Sequence, residues 1–306
     1  MKENTQHYCG IGGQAVLEGV MMKNGDRYAV AVRRENGEIV TSFDEYRGVW
    51  PDSPLRKIPF CRGFLVLLDS LILGLKVTDY SAEFYDEEEA DAEGEKKSSD
   101  SLINAVVMVA AVALSVGIFI VLPYFLASLL SGLIGNENLL VLLEGILRIV
   151  IFILYIVGIT AMRDIRRLFQ YHGAEHKCIN CIESGLPLTV ENARKSSRLH
   201  KRCGSSFTLF VMLVSMVLFF FIRVDSHVLR VVLRILLIPV ISGISYEIIR
   251  LSGRSSNPLV QLIAKPGLWM QYLTTREPDD SMLEVGIASV NAIFDWKAYQ
   301  EKEFPA

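Results

Sequence analysis

The sequence predicts a mainly α membrane protein with about four transmembrane helices, an interfacial or re-entrant helix, a small β-rich N-terminal element and a helical C-terminal tail. Three observations predict this class. Hydrophobic residues make up 51% of the chain and mean hydropathy is +0.34. The apolar residues are bunched at 102–131, 139–162, 206–222 and 228–249 into runs longer than ordinary core helices need. Ahead of these runs, an Asn36-Gly37 pair separates two apolar stretches, which is a hairpin signal. The net charge of −3 gives no basis for a nucleic-acid partner.

The first twenty residues lack the charged start and apolar centre of a secretory signal, so insertion is expected through internal segments. Residues 1–60 read as a β-rich cytoplasmic element, opening on the glycine-rich stretch from Cys9 to Met22 and continuing through the hairpin signal. Residues 61–80 hold the run FLVLLDSLILGL at 64–75. As a helix this rises only about 18 Å, too little to cross a core of about 30 Å, and it carries Asp69. It therefore reads as interfacial or re-entrant. Residues 81–101 are acidic and polar and read as a solvated linker.

Residues 102–162 read as transmembrane helices 1 and 2, with Pro123 as a kink in the first. Glu144 and Arg148 are four apart on one face of the second. They are expected to pair with each other or with Arg230 and Arg234 of the fourth run. Residues 206–250 read as transmembrane helices 3 and 4. The connection 163–205 carries nine Lys and Arg, whereas 132–138 and 223–227 together carry only Arg223. That imbalance predicts a cytoplasmic connection and, with four spans, both termini in the cytoplasm. Residues 251–306 read as a cytoplasmic tail. Its capping-box pattern, Ser281 to Glu284, precedes an amphipathic helix with Leu283, Ile287, Val290 and Phe294 on one face. That helix packs on the body or lies on the membrane.

Five cysteines do not make a disulfide framework, and three of them, Cys178, Cys181 and Cys203, fall in one 26-residue stretch beside histidines. Two readings compete there. In one, His172 and His176, four apart on a helix, bind a metal, and Glu175 is the catalytic general base, as in the H-x-x-E-H pattern. The remaining ligands would come from Cys181, His200, Cys203 or Glu247. In the other, Cys178-x-x-Cys181 and His200-x-x-Cys203 form a closed, structural zinc ribbon. Both call for a metal, and imidazole with thiolate favours Zn2+. Against both stands the bland alternative of helix caps and headgroup contacts.

Several stretches carry a resemblance. GGQAVLEGVMM at 12–22, Arg62-Gly63, YHGAEHK at 171–177, LTVENA at 188–193, HKRCG at 200–204, SYE at 245–247 and PGLWMQYLTT at 266–275 resemble the YqhQ-like bacterial membrane protein family. That family is grouped under a domain of unknown function and labelled a metal-dependent enzyme. The resemblance implies a multi-pass protein of the bacterial cytoplasmic (inner) membrane. It carries over His172, Glu175, His176, Cys181, His200 and Cys203, but not Cys178. The expected function is a zinc-dependent, hydrolytic membrane enzyme whose site faces the cytoplasm. The alternatives are a scaffold, chaperone or assembly factor with a structural metal, meeting protein partners through its cytoplasmic elements, and, third, a transporter, for which Pro123 and the Pro239–Gly243 stretch are the only hints.

Overall fold

The computed structural model describes residues 7–93, 101–222, 224, 227–255 and 257–304. Four antiparallel strands come first: β1 (Ile11–Val16), β2 (Gly19–Asn24), β3 (Arg27–Arg33) and β4 (Ile39–Glu45), paired in sequence order. Then follow α1 (Cys61–Glu93), α2 (Ser101–Val116), a π-helical segment (Gly117–Val121), α3 (Leu122–Leu129) and α4 (Glu137–Ile159). Next come α5 (Arg163–Glu183), α6 (Val190–Lys195), α7 (Gly204–Phe221), α8 (His227–Leu236) and α9 (Ile238–Ser252). The chain closes with α10 (Pro258–Thr274), α11 (Asp280–Ile293) and α12 (Trp296–Glu303).

The predicted hairpin is β3–β4. Gly37 takes φ +87°, a left-handed conformation that glycine adopts without a Cβ clash, and Asn36 Oδ1 accepts from the Glu38 amide at 2.9 Å. Both faces of the sheet are covered. Val20, Met22, Ala29 and Ala31 pack with α5 and α11 in one core. Val16, Met21, Val30 and Val32 pack with Leu73 and Val77 of α1 in another. Glu18, at the β1–β2 turn, clamps Arg167 of α5 through both carboxylate oxygens and accepts from the Tyr171 hydroxyl at 3.0 Å.

Among the described residues, three helices are long and apolar enough to cross a membrane: Val109–Leu129, Glu137–Ile159 and Gly204–Phe221. The expectation of four is corrected. The run 228–249 is two helices, α8 and α9, separated at Leu237 where Pro239 sits in the first turn of α9. Proline has no N–H to continue the α8 ladder, and its ring clashes with the preceding turn, so the chain restarts there. α9 nonetheless packs on α1 and α7.

Other boundaries also differ. The run 64–75 lies inside one 33-residue helix, α1, because the acidic residues that follow it are good helix formers. Of the expected linker, 94–100 lie outside the described residues, as does Arg223. The connection 163–205 is largely helical. The start of α11 is capped by Asp279, whose Oδ1 accepts from Met282 N at 3.0 Å, two residues before the expected Ser281. Leu283 and Val290 of α11 are buried against the sheet and α5, so this helix packs on the body.

Inside the helical bundle, Glu144 takes two of the three expected partners, Arg148 and Arg234, and the side chain of Arg230 lies outside what is described. Arg148 Nη2 lies 2.8 Å away on the same helix and Arg234 Nη1 2.9 Å away from α8. Each arginine is stranded if the carboxylate goes, and a buried pair broken on one side costs about 3–5 kcal/mol. Glu144→Ala is therefore expected to lower Tm in detergent clearly, whereas Glu137→Ala, at the exposed first turn of α4, leaves it nearly unchanged. Equal Tm values for the two variants would contradict this account.

Candidate metal centre

α5 is unusual for a helix of its composition. From Tyr171 to Glu183 every residue but His172, which is partly exposed, is buried. A polar side chain taken out of water must find a partner. Here the partners are the backbone carbonyls of the segment between α6 and α7. Lys177 Nζ donates to Arg194 O and Ser196 O at 2.9 and 2.8 Å. Asn180 Nδ2 donates to Ser197 O and Leu199 O at 2.7 and 3.0 Å. Gln271 of α10 grips the same segment, donating to His200 O and accepting from His200 N.

This packing sets the histidines. His176 Nδ1 meets Arg198 O at 2.6 Å, and His172 Nδ1 meets Thr274 O at 2.8 Å. A carbonyl accepts only, so each Nδ1 carries a proton, and each Nε2 is the atom left to face Cys203. His172 Nε2 lies 3.1 Å from Cys203 Sγ. His176 Nε2 is buried with no hydrogen-bond partner. One ligand atom each from His172, His176 and Cys203 lies within 4.8 Å of the others. Cys203 is also the N-cap of α7, where its sulfur accepts from the Ser205 amide at 3.4 Å. Glu175 lies outside this group of three. Its carboxyl end lies against Gly13 of β1, where an added Cβ would come within 2.9 Å of Cδ, and its Oε2 is buried without a partner.

The charges follow from this arrangement. Burial alone would raise the Cys203 thiol, but the imidazoles of His172 and His176 overcome it and hold the thiol well below its ordinary range. Burial works against a charged His172, yet the Cys203 sulfur, with Glu175 beyond it, raises its pKa to about 9. Burial raises Glu175, against the pull of the two imidazoles. The site thus sets a thiol held low near a carboxyl held high.

The other expected residues lie elsewhere. Cys181 Sγ points at Leu186 O and Pro187 O at 3.6 and 3.5 Å. Cys178 packs where a Cβ on Gly286 of α11 would come within 2.9 Å of its sulfur. The two are not joined with Cys203, so the ribbon's ligands are not brought together. His200 stacks near His176, with ring centroids 5.6 Å apart, but its Nε2 faces Arg202 at 3.2 Å and Glu183 at 3.5 Å. Glu247 is held by Arg62 through two 2.6 Å contacts and is capped by the Phe60 amide, far from any open coordination role. Gly13, Thr274, Arg198 and Glu183 escaped the sequence reading. Only Gly13 left a signal, in its glycine-rich stretch: a Cβ there would lie 2.8 Å from Glu175 Cγ and 2.7 Å from Met21 O.

The cluster forms part of the wall of a cavity of about 920 Å³, bounded by β1, α1, α5, the start of α7 and the end of α9. Fold and site together define a class: a helical protein with three bilayer-length helices that carries a buried His/Cys/Glu cluster in a cavity beside them. Residues 58–296 match the family described as "Protein of unknown function (DUF1385)", and the chain belongs to that family. It is 39% identical over 303 residues, 95% of this chain and 94% of the relative, to "Uncharacterized protein YqhQ" of Bacillus subtilis (strain 168). No solved structure matches the chain.

Glu183 supplies a pH test of this packing. Burial opposes its charge, but His200, Arg202 and the Cys9 amide pull its pKa down from 4.5 to about 2. A carboxyl lowered on folding stabilises above its unfolded pKa and loses that contribution as pH falls through the folded one. Roughly 3 kcal/mol should therefore vanish between pH 4.5 and about 2. Denaturant unfolding in detergent should show that slope in the wild type and a shallower one in Glu183→Gln. Parallel slopes would refute the assignment.

Proposed function

We propose that this protein is a metal-dependent hydrolase of the bacterial cytoplasmic membrane, with zinc held by His172, His176 and Cys203 and with Glu175 as general base. One observation carries the reading: two imidazole nitrogens freed by carbonyl-bound Nδ1 atoms converge on a sulfur within 4.8 Å, and His176 Nε2 is buried with no partner. An orphaned buried lone pair is costly unless something electrophilic completes it. The donor set suits zinc. Three protein ligands leave a position open, as catalytic zinc sites do, whereas structural ones are closed by four.

When bound, the ion supplies Lewis-acid polarisation of the group under attack. The rest is the chain's own work. Glu175 packs against Gly13, and its unpartnered Oε2 is the atom to take a proton from a water molecule and return it to the leaving group. The raised pKa of this buried carboxyl suits it to hold that proton between the two steps. Burial by β1 and α5 excludes bulk water from the reacting centre. The nine basic residues of 163–205 favour a cytoplasmic location for the site.

Elemental analysis of protein purified without chelators should find about one zinc per chain, as a three-ligand site requires. His176→Ala/Cys203→Ala should lose it, while Cys178→Ala/Cys181→Ala and Glu175→Gln should keep it. Loss of zinc from the Cys178/Cys181 double variant, with the fold intact, would favour the closed ribbon. Absence of metal from the wild type would sink the hydrolase reading.

A further inference from the structure

The cavity is also lined by a strand with one side unused. β1 is the outer strand of the sheet. Antiparallel strands alternate between residues whose N–H and C=O point at the partner and residues whose groups point away. Arg33 N reaches Glu18 O at 2.9 Å, which assigns the groups of Gly19 to β1 and makes Val16–Gly19 a bonded pair. Counting back by two, Gln14 and Gly12 also face β2, and Ala15, Gly13 and Ile11 face outward. Gly13 lies against the Glu175 side chain. Among the described residues, no hydrogen bond reaches the Ala15 N–H, the Ala15 carbonyl or the Gly13 carbonyl.

Such an edge is usually blunted by charge, proline or a covering element, because it pairs with any extended chain. Here it is left bare along a cavity. Gly10 to Ala15 all line that cavity, together with His172, Glu175 and Cys203. Six residues of strand span about 20 Å. Gly12 adds no bulk, and a Cβ built on it meets nothing within 4 Å. Val66, Leu67 and Leu73 of α1, Phe169 of α5 and Phe207 of α7 line the same cavity. An extended chain laid along β1 would turn alternate side chains to opposite faces, with these apolar residues to receive them.

We propose that the substrate is a polypeptide, bound in extended form by strand addition to β1, and that the bond cleaved is a peptide bond. This rests on the hydrolase reading above and names its substrate class. A strand paired with Ala15 has its backbone fixed beside Gly13 and the Glu175 carboxyl that lies against it. Row-wise donors and acceptors recognise a peptide backbone and give an acyl chain nothing to bond. The reaction is a simple hydrolysis. Water oxygen adds to the scissile carbonyl carbon, the C–N bond breaks, and the proton collected by Glu175 goes to the departing nitrogen. The products are a carboxylate and an amine.

Ala15→Pro tests the proposal because it removes an outward N–H and leaves the β1–β2 ladder intact, a position where a strand tolerates proline. Zinc-loaded full-length protein in nanodiscs is incubated with a peptide library made by digesting a denatured bacterial proteome, and new termini are identified by mass spectrometry. Wild type should create new termini and Glu175→Gln none. Ala15→Pro, with zinc content unchanged, should cut at least about tenfold more slowly, the order of effect of one strong hydrogen bond and a local clash. Hydrogen exchange gives a second readout that needs no change in β1. In Glu175→Gln the Ala15 amide should exchange about tenfold more slowly when the same peptides saturate the site, as a new ladder bond requires. Wild-type cutting by Ala15→Pro, or unprotected Ala15 in the exchange experiment, overturns strand addition. Zinc-loaded wild type that cuts no peptide, or that instead cleaves the phospholipid of the nanodisc, overturns the substrate class while the hydrolase reading stands. Absence of zinc defeats that reading first and separately.

Discussion

Everything in the site depends on burying a polar helix. α5 carries Glu175, His176, Lys177, Asn180 and Glu183 into the interior, where each must find a partner or remain costly. The chain meets much of that demand with one peptide segment, while Glu183 is met by the Arg202 and His200 side chains and Lys177 also by Glu277. The carbonyls of Arg194, Ser196, Ser197, Arg198 and Leu199 all turn toward α5. A segment pinned at so many points has no freedom to drift. It delivers Cys203 to His172 with the precision that a metal site needs. Among the described residues five buried side-chain N or O atoms lack a partner, and two of them, His176 Nε2 and Glu175 Oε2, sit at the site.

The bilayer portion follows a related rule at lower density. Its one described internal charge network shares Glu144 between two arginines, and Arg148 also lies 3.4 Å from the Ser215 hydroxyl of α7. Close packing does the rest: a Cβ on Gly145 would come within 2.4 Å of the Met216 side chain. α10 presents Leu259, Leu262, Ile263 and Trp269 outward while Gln271 and Thr274 at its far end serve the site. It thus links an apolar exterior to the cluster within one helix.

Much of this was legible before the structure. The hairpin signal, the apolar runs and the i, i+4 histidines each rest on local periodicity, and local periodicity survives folding. The α8–α9 break was hidden because Pro239 lies within an apolar run whose hydropathy alone looks continuous. The choice among Cys178, Cys181 and Cys203 was not readable either. All three have the right chemistry and plausible spacing, and only tertiary contacts with Gly286 and with the Leu186–Pro187 carbonyls separate them. Gly13 was visible as part of a glycine-rich stretch, but its reason is an approach by Glu175 across 162 residues of sequence.

That approach has a consequence for how the molecule is made. The cluster combines β1, near the start of the chain, with Cys203 beyond two apolar helices and the Thr274 carbonyl near the end. α11, made later still, covers Ala174 and Cys178 on the face of α5 beneath the sheet. A ribosome releases these parts in order, and the apolar helices can enter the bilayer as they emerge. The cluster, by contrast, closes only after nearly the whole chain has been synthesised. A chain that ends before Thr274 therefore lacks the carbonyl that orients His172, and one that ends before α11 lacks the cover over α5.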